Sequence, residues 1–90
     1  MYEILNMRKI IELHPAENFL LHIRFDNGTQ KIFDLKPYLH LPVFAALQKQ
    51  EAFQDVINKG YFIEWPAFEV DLSADTLWHE GKSPEPQKGN

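Results

Sequence analysis

The chain has 90 residues, a net charge of −4 and no cysteine. One domain fits that length. The missing cysteines exclude a disulfide framework, a thiolate zinc site and a cysteine nucleophile together, and the acidic balance argues against a broad phosphate-neutralising surface. Apolar residues make up 44% of the chain, including seven Phe and two Trp, which is enough for a small core. Residues 1–7 lack the basic region and long apolar run of a signal peptide, and no segment approaches membrane-spanning length, so a soluble cytoplasmic protein is expected.

Residues 7–13 read as a first strand, with Met7, Lys9, Ile11 and Leu13 on one side. A turn over residues 14–18 follows, since Pro15 cannot donate to a ladder and Asn18 suits a bend. Phe19, Leu21, Ile23 and Phe25 then alternate with Leu20, His22 and Arg24, the period of a strand with one apolar face. A second run, Thr29 to Leu35, comes after Asp26, Asn27 and Gly28. A two-residue loop would set Leu21 opposite Asp34. A three-residue loop with Gly28 left-handed sets Leu21 opposite Phe33 and Phe19 opposite Leu35, and this apolar match decides for it. The result is an antiparallel meander over about residues 7–35, whose other face carries His22, Arg24, Gln30 and Ile32. Whether residues 2–5 extend it is open.

Asp34 and Pro37 stop the third strand, the carboxylate by accepting from backbone two residues ahead. Tyr38 and Leu39 are expected to pack inward. Residues 42–59 read as one bent helix or two short ones, with Pro42 in the first turn, Phe44 and Leu47 on one face, and Phe53, Val56 and Ile57 at helical spacing before Gly60. Residues 61–65 form a further strand ended by Pro66, and residues 68–72 are extended. Ser73 caps a short C-terminal helical turn that carries Asp75 at its start and Thr76, Leu77 and Trp78 within it. Residues 81–90 hold no apolar residue and are expected to be a disordered polar tail behind a single domain over residues 1–80. The fold class is therefore α+β: a small two-layer domain with the meander packed on one or two short helices.

The order and spacing of these pieces resemble a known family. The residues that carry the likeness are Phe25-Asp26-Asn27-Gly28, then Phe33, Asp34, Leu35 and Pro37, then Pro42, Val43, Phe44 and Leu47. Phe53 follows, then Ile63, Trp65 and Pro66, and finally Asp71, Leu72, Ser73, Asp75, Leu77 and Trp78. Over residues 7–79 the chain resembles the bacterial family named domain of unknown function 2442. The resemblance implies a two-layer α+β domain. Some members carry a helix-turn-helix DNA-binding domain after it, where this chain has a polar tail. Members tend to be encoded beside another small protein, in an arrangement similar to toxin–antitoxin pairs. The resemblance brings no established activity and no catalytic residues.

Asp71, Asp75 and His79 lie four apart and would share a helix face, but a helix capped at Ser73 leaves Asp71 outside it, so capping explains the acidic residues better than a metal does. The four histidines (His14, His22, His40 and His79) are scattered, and only His79 has a carboxylate, Asp75, close in sequence. No nucleophile elbow or phosphate-cradling glycine loop is present. No catalytic, cofactor or metal residue is therefore assigned. Trp65 reads as core, whereas Trp78 reads equally as core or as an interface anchor. Trp78, His22 and Arg24 are the candidate interaction residues. The leading expectation is a non-enzymatic protein-interaction module, antitoxin-like, bound to the product of an adjacent gene and able to homodimerise. The alternative is a nucleic-acid-binding or transcription-regulating accessory protein using Arg8, Lys9, Arg24 and Lys31. The third is a metal-dependent enzyme built on Asp75 and His79.

Overall fold

The structure is a computed structural model that describes residues 8–84. It contains two three-stranded antiparallel sheets: β1 (Ile10–Ala16), β2 (Leu20–Phe25) and β3 (Gln30–Asp34) in one, and β4 (Ile57–Asn58), β5 (Phe62–Trp65) and β6 (Val70–Ser73) in the other. Two α-helices, α1 (Gln50–Phe53) and α2 (Ala74–Glu80), and several stretches of 3-10 helix complete the α+β domain.

The β2–β3 hairpin takes the three-residue loop. Leu21 faces Phe33, the Leu35 N–H donates to the Phe19 carbonyl at 3.0 Å, and Gly28 has φ +88°. That register turns Leu21, Ile23, Phe25 and Phe33 into one core, joined by Leu35, Ile10, Phe44, Leu47 and Phe53. The second sheet adds Ile63, Trp65 and Val70, and α2 adds Ala74 and Leu77.

The first strand departs from strict alternation. Met7 lies outside the described residues, and Ile10 is buried while Ile11 is 43% exposed. A bulge between Ile10 and Glu12 inserts Ile11 as an unpaired residue, so Ile10 and Leu13 both reach the core although they are three apart. The strand also runs through the expected turn to Ala16. Pro15 is tolerated because β1 is an edge strand. The chain reverses at Glu17–Phe19, where Asn18 and Phe19 hold φ of 64° and 60°.

Asp34 ends β3 as expected, accepting the Lys36 N–H at 2.9 Å. The segment at Pro42–Gln48 is 3-10 rather than α, with Phe44 and Leu47 buried. The helix expected as far as residue 59 stops at Phe53. Ile57 and Asn58 instead pair with Glu64 and Ile63 as strand β4, and Gly60, at φ +91°, turns β4 into β5. Strand pairing overrides the helical spacing of Phe53, Val56 and Ile57. Ser73 caps α2, accepting the Thr76 N–H at 3.0 Å. The polar segment after α2 is ordered at its start: Lys82 pairs with Ile32. Residues 85–90 lie outside the described residues.

A Cβ at Gly28 would meet nothing within 4 Å, so a larger residue there costs backbone strain alone. Gly28→Ala is expected to lower stability by about 1–2 kcal/mol and Gly28→Asn by less, as left-handed backbone disfavours Cβ and Asn tolerates it best. Urea denaturation measures both, and equal losses for the two variants would contradict the turn assignment.

Candidate functional site

The outer face of the first sheet is built in rows across its strands. Glu12, Arg24 and Gln30 stand side by side, and His14, His22 and Ile32 form the next row. These side chains rim a shallow depression of about 190 Å³, with Pro84 at its edge. Arg24 binds Glu12 through both ends of its fork, Nη2 to Oε2 at 2.7 Å and Nε to Oε1 at 3.1 Å. The hydrogen bond from Arg24, and then its charge, hold the Glu12 carboxyl below its ordinary value. The same pair raises the Arg24 pKa. His14 Nε2 lies 4.0 Å from Glu12 Oε1.

Trp78 lies elsewhere. It projects from α2 toward the inner face of the sheet near the hairpin loop, half-buried, with its ring 5.1 Å edge-on from Phe25. The Arg8 guanidinium carbon is 3.9 Å, and Lys31 Nζ 4.4 Å, from the ring centroid. Lys31 Nζ also donates to the Trp78 carbonyl. Two cations and an aromatic edge thus cover this ring, a packed arrangement. The structure unites His22 and Arg24 with Glu12 and His14, and leaves Trp78 on the other side of the sheet. Of the four basic residues considered for nucleic acid, Arg8 and Lys31 stack on Trp78 and Arg24 is paired on the opposite face, so the four do not line one surface.

Asp71 sits on β6 opposite Glu64, while Asp75 and His79 pair along α2 at 3.2 Å, both exposed. Among the described residues no group of three His, Asp or Glu is placed to hold a metal ion. No described helix is long and apolar enough to cross a membrane. Trp65 is fully buried, and its Nε1–H donates to the Phe53 carbonyl at 2.8 Å.

Two contributors to the outer face were missed in the sequence. Glu12 belongs to it by its pairing with Arg24, and His14 by its pairing with His22, because β1 runs on past Leu13 to Ala16. The signal in the sequence is that Leu13 faces inward, which turns residues 12 and 14 outward.

A family model described as "Protein of unknown function (DUF2442)" matches residues 10–83. The chain belongs to this family. No curated protein and no solved structure matches the chain. Membership agrees with the small α+β fold and assigns no chemistry to the DUF2442 chain.

The lowered Glu12 pKa fixes a pH dependence. The unfolded carboxyl, near 4.5, takes a proton more readily than the folded one, so the ion pair's contribution is present above that pH and is lost as pH falls through the folded value. Glu12→Gln should therefore separate from the wild type at neutral pH and converge with it in acid, and the gap should narrow with added salt. Thermal midpoints across pH measure this, and a gap that widens in acid would refute it. Trp78→Ala is expected to cost about 2–3 kcal/mol, somewhat below the range for a fully buried Trp. His22→Ala should stay within about 0.5 kcal/mol, as for most surface changes. Equal effects in denaturation would contradict the packing described.

Proposed function

We propose that this DUF2442 protein is a non-enzymatic protein-interaction module, the antitoxin-like member of a two-protein system, acting in the cytoplasm on the product of an adjacent gene. The observation that carries this reading is a group of large apolar side chains left open where the start of β1 meets the β4–β5 turn. Ile11, Ile57, Tyr61 and Phe62 are 43%, 45%, 48% and 38% exposed. The Ile10 N–H donates to the Gly60 carbonyl at 2.7 Å and Asn58 Nδ2 to the Ile10 carbonyl at 2.9 Å, which ties these segments together. Ile57 and Phe62 share the outer face of β4 and β5, since Ile57 stands opposite Glu64 and Phe62 lies two residues before it. Apolar side chains gathered on a surface mark interaction sites more than isolated ones do.

The polar outer face of the first sheet supports binding better than catalysis. Glu12 is taken up by both ends of the Arg24 fork, and its carboxylate stands 4.0 Å from His14 Nε2, too far to orient that imidazole as a general base. In this reading His22 and Arg24 supply polar contacts at the rim, and the anchors are the exposed apolar side chains rather than Trp78.

Co-expression with the adjacent gene product tests the proposal. The expected result is a complex of fixed stoichiometry by size-exclusion chromatography with light scattering. Phe62→Asp should weaken it by about 30-fold, the equivalent of one hot-spot side chain. The absence of a complex would overturn the antitoxin-like reading. A complex indifferent to Ile57→Asp and Phe62→Asp would remove this surface from it.

A further inference from the structure

In an antiparallel ladder, alternate residues turn their backbone groups to one neighbour and the residues between them turn theirs to the other side. The Phe25 N–H donates to the Thr29 carbonyl at 2.9 Å and the Leu35 N–H to the Phe19 carbonyl at 3.0 Å. The odd-numbered residues of β3 therefore face β2, and Gln30, Ile32 and Asp34 present their backbone groups along the outer edge. Among the described residues only the middle one is met there. The Ile32 N–H donates to the Lys82 carbonyl at 2.8 Å, and the Lys82 N–H returns to the Ile32 carbonyl at 2.9 Å.

The segment that supplies Lys82 is shaped to reach this edge and to go no further along it. A Cβ at Gly81 would lie 2.6 Å from the Leu77 carbonyl oxygen and 3.1 Å from Lys31 Cβ, so the missing side chain lets the chain step from the end of α2 onto β3. Two residues past Lys82 the same register would bring Pro84 opposite Gln30, and proline has no N–H to continue the ladder. Lys82, Ser83 and Pro84 are all exposed. Among the described residues the segment is held by one backbone pair, and it buries no large side chain.

The edge beneath it is self-complementary. Two β3 strands related by a two-fold axis through Ile32 would set Ile32 against Ile32, and Gln30 against Asp34 of the second copy on either side. All three side chains lie on the same face, and all three backbones point outward in phase. Each flanking pair matches a carboxamide donor with a carboxylate, and the central pair is apolar. Lys82 occupies the middle of that register, so the two arrangements exclude each other.

We propose that the β3 edge is a self-association strand, kept closed by the segment Gly81–Pro84, whose release lets a second copy of this chain pair through Ile32. This surface is distinct from the apolar group at Ile57 and Phe62, and it does not depend on the identity of the adjacent-gene partner.

Sedimentation velocity of the full chain tests it with Lys82→Pro, which removes the donor that holds the segment, and with Lys82→Pro combined with Ile32→Lys. The wild type should sediment as a monomer, Lys82→Pro should approach the mass of two chains as its concentration rises, and the double variant should return to the monomer. Thermal melts establish that each variant folds. If Lys82→Pro does not fold, Gly81→Val releases the same segment through its clash with Leu77. A folded, monomeric release variant overturns the proposal. So does failure of both release variants to fold, since the segment would then be part of the core fold and not a removable cover. A wild-type dimer would also overturn the gating, and one insensitive to Ile32→Lys would place self-association on another surface. Binding of the adjacent gene product is measured in parallel. Its loss in Phe62→Asp but not in Ile32→Lys would leave the interaction-module reading standing whatever the sedimentation shows.

Discussion

The rest of this domain depends on the register of the β2–β3 hairpin. With Gly28 left-handed, Leu21 meets Phe33 and the inward row closes over the core. A slip of one residue would turn the inward row of β3 to water and put Ile32 and Asp34 inside. Three consequences follow from the one turn. The outer face receives His22 and Arg24 where Glu12 and His14 can stand beside them. Lys31 is brought to the inner side, where its amine rests on Trp78. The backbone groups of Gln30, Ile32 and Asp34 are left along the edge.

The stretch between β3 and β4 has little regular structure of its own. Helix α1 is a single turn, too short to be stable alone, and Pro42–Gln48 is 3-10 helix. Aromatic contacts hold these pieces instead. The Trp65 indole N–H satisfies the Phe53 carbonyl at the end of α1. Phe19 meets Phe53 edge-on at 5.4 Å, and Tyr38, stacked on Phe33 at 5.6 Å, meets Phe44 of the 3-10 segment edge-on at 6.4 Å. Each short element is thus fixed by a ring inserted into a core that the hairpin has already shaped, which makes its stability a property of packing more than of helix propensity.

What could be read from the sequence was whatever a local pattern determines. The hairpin register, the Asp34 stop and the Ser73 cap follow from turn chemistry or a clear period, and the strand expected at residues 61–65, observed at Phe62–Trp65, follows from β-branched and aromatic composition. The errors came where a distant partner decides. Phe53, Val56 and Ile57 have helical spacing, yet Ile57 is claimed by pairing with Glu64. The bulge at Ile11 is invisible to an alternation rule, because one inserted residue reverses the faces of everything before it. His14 reads as turn because Pro15 follows it, but on an edge strand the missing N–H disrupts no ladder. Lys82 joins β3 through backbone alone, and backbone pairing leaves no trace in side-chain composition.

The two edges of the first sheet are closed by different means. On β1, Pro15 faces away from β2: the β2 residues that turn to β3 are the odd ones, so the even ones pair closely with Glu12, His14 and Ala16, leaving Leu13 and Pro15 directed outward. A donor is therefore absent from that edge permanently, and its start is already held by Gly60. On β3 every residue of the edge keeps its N–H, and the cover is a segment held by a single backbone pair. An exposed edge is a hazard that proline blunts irreversibly and a borrowed strand blunts reversibly. The asymmetry is why the proposed pairing with a second copy falls on β3 and not on β1.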